Sequence, residues 1–319
     1  MTIVAEGLTR RFRGVAALDG FDLRVGEGTV HGLLGPNGAG KTTAIRILTT
    51  LLRPDAGHAR VAGHGVLREA ALVRARIGLV GQQAAVDEEL DGRQNLEMFA
   101  RLHHLRPPAA RRRAADLLDR FGLAGTGRKP VSKYSGGMRR RLDLACGLIT
   151  GPAVLFLDEP TTGLDPRARS EVWAAVRRLV ADGTTVLLTT QYLDEADQLA
   201  DHLTVIGHGR TLASGTTDQL KRRLGADHLD VIVRDPGHVP AAAALLAAFA
   251  SGEIRTDQDR RKISVPVRDR VAALSGAMSA LADSGVQADD IALRRPTLDE
   301  VFLHLTAGNP GQDDRRVAA

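Results

Sequence analysis

Three features are scarce in this chain of 319 residues: cysteine, aromatic side chains and long apolar runs. The single cysteine, Cys146, excludes an internal disulfide, and we expect it to be a small buried residue in a reducing compartment. Aromatic residues make up only 3% of the chain, too few for the base-stacking platforms that bind single-stranded nucleic acids. No apolar run approaches the roughly 20 residues of a membrane-spanning helix, and we expect no signal peptide. What remains is the composition of a soluble globular protein, long enough for two domains.

The charge of the chain allows two interpretations. The formal net charge is +5, which would suit binding to nucleic acid or anionic lipid. The basic residues, however, stand in short runs with acids between them, a pattern more typical of solvated helix faces, and we expect no nucleic-acid partner. The runs are Arg10-Arg11, Arg111-Arg112-Arg113, Arg139-Arg140-Arg141 and Arg260-Arg261-Lys262.

A glycine-rich loop is the most specific motif. It fits the pattern G-x-x-x-x-G-K-[ST] and lies between an apolar run, Val30 to Leu34, and a segment with one apolar face, Thr43 to Leu52. An accidental match occurs on the order of once per hundred chains of this length, before that context is required. Strand, glycine turn and helix start together predict a phosphate site, in which Lys41 reaches the β- and γ-phosphates and Thr42 binds Mg²⁺. The predicted nucleotide-binding residues of the loop are Gly35, Pro36, Asn37, Gly38, Ala39, Gly40, Lys41, Thr42 and Thr43.

A second helix start of this kind follows later in the chain. Ser135 is placed to cap a helix that opens with Gly136 and Gly137 and runs to Ile149, which leaves backbone N–H groups free for an anion. One such start is ordinary, but two in one chain need an explanation.

Two adjacent carboxylates end the most apolar predicted strand. The run Val154 to Leu157 is typical of a central parallel strand, and Asp158 and Glu159 follow at its C-terminal edge, where α/β sheets place ligands. Because side chains alternate along a strand, we expect the two carboxylates to diverge. Asp158 would then hold Mg²⁺ through water and Glu159 would polarise an attacking water. Without the glycine-rich loop, solvated acids at a strand end would be the default interpretation.

Phe12 precedes the loop as an isolated aromatic residue. It lies in a basic, glycine-containing turn between two predicted strands, Thr2 to Thr9 and Gly20 to Val25. Its apolar face could stack on adenine, but for an aromatic residue taken alone a place in the core is the commoner outcome.

The order of predicted strands and helices indicates two domains. Up to residue 225 they alternate, which favours an α/β fold with a mostly parallel sheet, an antiparallel arm at His58 to Gly65 and a helical subdomain at about residues 91–150. From residue 226 to 307 the order β-α-β-β-α-β and a final helix predict a small ferredoxin-like α+β domain. Residues 308–319 are polar and are expected to form a disordered tail.

Taken in order, these motifs resemble those of the ATP-binding cassette (ABC) ATPases over about residues 1–225. The resemblance implies that Phe12 stacks on adenine, that Gln82 joins Mg²⁺ to the interface with the transmembrane domains, and that Glu159 is the catalytic glutamate. It identifies three further groups of residues with the signature motif, the D-loop and the Mg²⁺ ligands. These are Ser135, Gly136 and Gly137 for the signature, Gly163, Leu164 and Asp165 for the D-loop, with Asp165 at the nucleotide, and Thr42, Gln82 and Asp158 for the metal.

Two departures from the family pattern stand out. Met138 replaces a common glutamine in the signature, and Gln191 lies where the family usually has its switch histidine, a catalytic position. Glutamine can donate hydrogen bonds but carries no titratable proton. The segments Thr189 to Asp197 and Leu298 to Phe302 are similar to the daunorubicin-resistance branch of drug exporters, in which this glutamine is customary.

The resemblance also implies partners. Two cassettes would pair head to tail, so that ATP and Mg²⁺ on the glycine-rich loop of one copy are capped by Ser135 of the other, which explains the second anion site. The dimer would work at the cytoplasmic face of the membrane on a separate permease that holds a hydrophobic drug. A soluble ATPase acting on ribosomes or DNA, and a regulatory subunit that does not hydrolyse ATP, are the alternatives.

Overall fold

The computed structural model describes residues 1–223 and 227–307. These residues divide into two compact units, and the boundary lies between Thr217 and Asp218. The domain limit predicted at Gly225 and the tail predicted at residues 308–319 lie outside the described residues.

The first unit is built on a six-stranded sheet. Its strand order is β10-β9-β3-β8-β7-β6, and all neighbours are parallel except the hairpin formed by β9 and β10. Every residue of β3, β7 and β8 is buried, which is why these strands read as unbroken apolar or threonine-rich runs. The predicted parallel sheet is therefore confirmed. Its strands are β3 (Val30–Leu34), β6 (Ile77–Val80), β7 (Val154–Asp158), β8 (Thr185–Thr190), β9 (His202–Gly207) and β10 (Arg210–Gly215).

A second, antiparallel sheet of order β2-β1-β4-β5 forms the predicted arm. Its first hairpin is longer than predicted, because Phe12 pairs with Val15 across a turn of only two residues. Arg13 and Gly14 both have positive φ, 48° and 85°, as a tight hairpin turn requires. The prediction that Phe12 lies in a turn is therefore wrong: it is the last residue of a strand. The strands are β1 (Ile3–Phe12), β2 (Val15–Val25), β4 (Ala56–Val61) and β5 (His64–Gly65).

Helices cover the six-stranded sheet and form the predicted helical subdomain. In that subdomain α3, α4 and α5 bury Leu96, Leu117 and Leu142 in one shared cluster. The helix α2 was not predicted, because it has seven residues and buries only Val73, which leaves almost no apolar periodicity. The helices of this unit are α1 (Lys41–Leu48), α2 (Ala70–Arg76), α3 (Gly92–Leu102), α4 (Pro107–Arg120), α5 (Gly136–Gly147), α6 (Pro166–Ala181) and α7 (Leu193–Leu199). The next helix, α8 (Thr217–Arg223), begins at the boundary, and all of it after Thr217 is assigned to the second unit.

The second unit has the predicted ferredoxin-like order. Its sheet has the strand order β12-β13-β11-β14, in which all neighbours are antiparallel. Leu229, Val231, Ile263 and Val265 of the two central strands are fully buried. The elements are β11 (Asp227–Val233), α9 (Val239–Leu246), β12 (Arg255–Asp257), β13 (Lys262–Val267), α10 (Arg270–Asp283), β14 (Ala288–Arg294) and α11 (Leu298–Ala307).

Candidate functional site

The glycine-rich loop connects β3 to α1 and wraps around the side chain of Lys41. Lys41 is 5% exposed, and its Nζ donates to the carbonyl oxygens of Gly35 at 2.7 Å and Pro36 at 3.1 Å. Gly40 has φ 108°, and a Cβ there would lie 2.4 Å from the carbonyl oxygen of Ala17, so only glycine fits. No side chain caps the N-terminus of α1. Its first backbone N–H groups are therefore available to an anion.

Parallel pairing brings three of the predicted segments to one edge of the sheet. Leu34, which precedes the loop, pairs with Thr190, and Asp158 pairs with Thr189 of the same strand. The loop, the carboxylate strand β7 and Gln191 therefore follow neighbouring strand ends. This is the C-terminal edge, where ligands bind in sheets of this type.

Asp158 is a buried carboxylate held by two hydroxyl groups. It is 6% exposed, and its Oδ1 accepts a hydrogen bond of 2.6 Å from Thr189 Oγ1 and a longer one of 3.4 Å from Thr42 Oγ1. Thr42 and Asp158, both predicted from the sequence as metal ligands, therefore lie side by side. The contribution of Thr189 was missed, because a threonine inside a β-branched strand gives no signal of its own.

The carboxylates of Glu159 and Asp158 have different partners, but the cause is not the alternation along a strand that the sequence predicted. It adopts φ 49°, a left-handed conformation that costs on the order of 1–3 kcal/mol for a non-glycine residue. The two carboxylates diverge because the backbone turns at Glu159, not because side chains alternate along a strand. The backbone N–H of Glu159 donates to Thr189 Oγ1 at 3.0 Å, which helps to hold this turn.

The Glu159 carboxylate connects three separate parts of the chain. It is 8% exposed, with Oε1 3.3 Å from Lys41 Nζ, and Oε2 accepts hydrogen bonds from Gln82 Nε2 at 3.1 Å and Thr162 Oγ1 at 3.3 Å. Without a ligand, the charges of Lys41 and Glu159 compensate each other in a buried setting. The pair can separate when a phosphate group offers Lys41 a different anion.

The donor set fits Mg²⁺ that arrives with a nucleotide. Within residues 1–223 and 227–307, no three His, Cys, Asp or Glu side chains form a group that could hold a metal by themselves. The oxygens of Thr42 and Asp158 supply a hydroxyl and a carboxylate, the hard ligands that Mg²⁺ combines with phosphate oxygens and water.

The second helix start is not part of this cluster. Ser135 caps α5 by accepting a hydrogen bond from Met138 N at 3.3 Å, and Asp165 caps α6 by accepting one from Ala168 N at 2.8 Å. Ser135, Gly136 and Asp165 are exposed, whereas Gly137 packs against Ala168, where a Cβ would lie 2.8 Å from the alanine Cβ. In the described part of the chain, no hydrogen bond joins residues 135–137 to residues 35–43.

Phe12, Gln82 and Gln191 retain exposed surface. Phe12 is 44% exposed, with the Arg10 guanidinium 5.0 Å from its ring centroid, so it is not a core residue. Gln82 is exposed apart from its bond to Glu159, and Gln191 is half-buried. Gln191 makes no side-chain hydrogen bond to any described residue.

One basic run contains a buried residue. Solvated helix faces were expected for most of the basic residues, and Arg140 is an exception: it is 7% exposed and pairs with Asp143, which is 3% exposed. Burial lowers the pKa of Arg140 from its usual value, and the carboxylates of Asp143 and Glu195 oppose that shift. Three consecutive arginines carry no signal that shows which one is buried.

Among the residues that the structure describes, no helix is both long and apolar enough to cross a bilayer.

Comparison with known proteins gives consistent similarities. A family model described as ABC transporter matches residues 18–162. The chain is 63% identical to the daunorubicin resistance ATP-binding protein DrrA3 of Streptomyces coeruleorubidus, over 99% of this chain and 97% of that protein. It is 50% identical to the daunorubicin/doxorubicin resistance ATP-binding protein DrrA of Streptomyces peucetius, over 98% and 94%. A solved ATP-binding subunit of an ABC transporter superposes with a TM-score of 0.63 at 26% identity, over 70% of this chain and 94% of that one.

Proposed function

The chain belongs to the family of ABC transporter ATP-binding proteins, and from this membership we propose that it hydrolyses ATP to drive the export of a hydrophobic drug. The drug class is inferred from the names of the relatives, which point to anthracycline-like antibiotics. The observation that carries the enzymatic part is the cluster of Lys41, Gln82 and Glu159, joined within 3.3 Å at the end of β7.

ATP binding uses groups that the folded loop already presents. The N-terminal N–H groups of α1 would receive the phosphates, and Lys41 would exchange its contacts to Gly35, Pro36 and Glu159 for phosphate oxygens. Phe12, exposed at the end of its hairpin, would stack on the adenine. When bound, Mg²⁺ would neutralise part of the phosphate charge, and Thr42, Asp158 and Gln82 are the residues that would hold it.

Hydrolysis requires a carboxylate that can orient water. Once Lys41 turns to the phosphates, Glu159 is released from its ion pair and would accept a hydrogen bond from the attacking water, while Gln82 keeps its carboxylate in place. Gln191, half-buried at the end of β8, would donate a hydrogen bond to the γ-phosphate.

The complete site is shared between two copies of the chain. Ser135 and Asp165 are exposed, and their side chains make only local capping bonds among the described residues, so they are free to meet a nucleotide on a second copy. We assign ATP binding to residues 1–225, capped across a head-to-tail dimer by Ser135, Gly136 and Gly137. The dimer would act at the cytoplasmic face of a membrane, on a permease that holds the drug.

A regulatory subunit that binds ATP without hydrolysing it is the main rival, since Gln191 carries no titratable proton. Turnover of purified chain, alone and with its permease in liposomes, separates the two proposals. We expect ATP hydrolysis that rises with the permease and with an anthracycline, and no hydrolysis in Lys41→Ala. A wild-type chain that binds ATP but never exceeds Lys41→Ala in turnover would exclude the ATPase.

A further inference from the structure

A buried guanidinium connects the two backbone segments that carry Gln82 and Glu159. Arg140 Nη1 donates to the carbonyl oxygen of Gly81 at 2.8 Å, and Arg140 Nε donates to the carbonyl oxygen of Pro160 at 2.7 Å. Gly81 precedes Gln82 and Pro160 follows Glu159. One rigid planar group therefore bonds to the residue next to each member of the Gln82–Glu159 pair.

The guanidinium of Arg140 is oriented so that it bonds to both carbonyls, while one of its own N–H groups has no partner among the described residues. Its Nη2 is buried and has no hydrogen-bond partner in the described part of the chain. Most buried donors in native folds have a partner. An arginine that served only to pair with Asp143 would not need this position.

Asp143 holds the same loop at a second point. Its Oδ2 accepts from Arg140 Nη1 at 3.1 Å, and its Oδ1 accepts from the backbone N–H of Ala85 at 3.0 Å. Burial raises the pKa of Asp143, while the bonds from Ala85 and Arg140 oppose the rise. The loop after β6 is therefore fixed to α5 on both sides of Gln82.

We propose that Arg140 is a positioning residue for hydrolysis: it holds Gln82 and Glu159 at hydrogen-bond distance and joins their geometry to α5, the helix that Ser135 begins. Arg140 touches neither the nucleotide nor the water in this assignment. It acts only through the backbone at Gly81 and Pro160. The inference rests on the proposed ATPase function.

The test is a conservative replacement with a matched control. Arg140→Lys keeps a positive charge beside Asp143, but a single ammonium on a flexible stem cannot reproduce the rigid fork that spans both carbonyls. We expect kcat to fall about 10- to 100-fold, as small misplacements of catalytic groups do, with the Kd for ATP unchanged because Lys41 and Thr42 are intact. The control is Arg141→Lys on the same helix, where Arg141 donates to the carbonyl of Phe121 at 2.9 Å, away from the site, and kcat should stay near wild type.

A second variant covers the case in which Arg140→Lys does not fold. Arg140→Met combined with Asp143→Asn removes both charges of this ion pair, and the asparagine oxygen can still accept from Ala85 N–H, so Asp143 is not left as an unpaired buried carboxylate. We expect a folded protein with normal ATP binding and the same loss of kcat. In a Glu159→Gln background, either change should add little further loss, because Arg140 works through Glu159.

The outcomes separate the two proposals. If the wild-type chain hydrolyses ATP and a folded Arg140 variant has the same kcat, the positioning role is overturned and the ATPase proposal stands. A loss of Tm and ATP affinity in proportion to kcat would also overturn it, since a purely structural residue behaves in that way. A wild-type chain that does not hydrolyse ATP would remove the ATPase proposal, and the positioning role with it.

Discussion

The two compact units both contain buried charge, but they arrange it differently. In the first unit, Lys41 and Glu159 approach only to 3.3 Å, and Thr42 lies 3.4 Å from Asp158. In the second unit, Asp230 accepts from Arg294 at 2.6 Å, and Lys262 Nζ lies 2.7 Å from the same carboxylate oxygen. These two contacts of the first unit are long and lie at a sheet edge, whereas the contacts of Asp230 are short and join neighbouring strands of one sheet.

Glu300 completes the cluster of the second unit. Both of its oxygens accept from Arg294, at 2.9 and 3.0 Å, and it also accepts from the backbone N–H of Thr297 at 2.9 Å, at the start of α11. Burial alone would raise the pKa of Glu300, but the bonds from Arg294 and Thr297 outweigh it and bring the pKa to about 2. Both oxygens of this carboxylate therefore accept hydrogen bonds from groups of the second unit.

The difference indicates two uses of buried charge. Charged groups that bond to one another within one cluster, as Arg294 and Glu300 do, stabilise the fold. Longer contacts at strand ends keep carboxylate and ammonium groups ready to change partners. The two clusters can therefore be tested with the same chemical change, glutamate to glutamine, made once in each unit.

The largest effect is expected from Glu159→Gln. A water-orienting carboxylate contributes about 10²–10⁴-fold to the rate, so turnover should nearly stop. ATP should still bind, because Lys41, Thr42 and Asp158 remain, and the closed dimer should accumulate on size exclusion in the presence of ATP. Turnover within tenfold of wild type would show that Glu159 does not orient the attacking water.

Glu300→Gln should show the opposite result. Turnover should stay near wild type, while the free energy of unfolding of the second unit falls by about 1–3 kcal/mol, because Arg294 loses a charged partner. The one tryptophan, Trp173, lies in the first unit, so tryptophan fluorescence reports on that unit. Hydrogen exchange of β11 and β14 is therefore the measurement for the second unit. Loss of turnover without faster exchange would mean that the second cluster takes part in catalysis.

The same carboxylate predicts an acid dependence. Its folded pKa of about 2 lies below the ordinary value of 4.5, so its stabilising contribution is complete above pH 4.5 and is lost as the pH falls towards 2. The protection factors of β11 and β14, which correct for the pH dependence of intrinsic amide exchange, should fall over this window, and Glu300→Gln should reduce that fall. An identical pH profile in the variant would contradict the ion-pair assignment.

Gln191 gives a smaller, site-specific test. Because its side chain makes no bond to a described residue, it is available to the γ-phosphate, and Gln191→Ala should lose about tenfold in turnover for one lost charge-assisted bond. Gln191→His should remain active and add a group titrating near pH 6.5 to the rate profile. Full turnover in the alanine variant would show that this position is a bystander.

The smallest effect is expected from removing residues 226–319, which make up most of the second unit. A fragment of residues 1–225 should fold and bind ATP within about threefold of the full chain, because a compact unit with its own core can fold alone. The control is the same fragment with Lys41→Ala. A folded fragment that has lost ATP affinity would show that the second unit contributes to binding.

The sequence predicted the parts of the site that depend on motif and register, and not those that depend on backbone detail. The loop at Gly35, the carboxylates after β7 and the ferredoxin-like order follow from residue types at fixed spacing. The left-handed turn at Glu159 could not be predicted, because no residue there requires it. The burial of Arg140 depends on which face of α5 meets the loop after β6, and this is decided by tertiary packing.

The shared site is tested most directly by mixing two inactive variants. Ser135→Arg removes the signature contact and Lys41→Ala removes the phosphate contact, so each homodimer should be inactive. Under conditions of subunit exchange, mixed dimers keep one complete site, and roughly a quarter of wild-type turnover should return, since half of the dimers are mixed and each has one of two sites. A mixture as inactive as either parent, with exchange verified by a labelled subunit, would contradict the head-to-tail site.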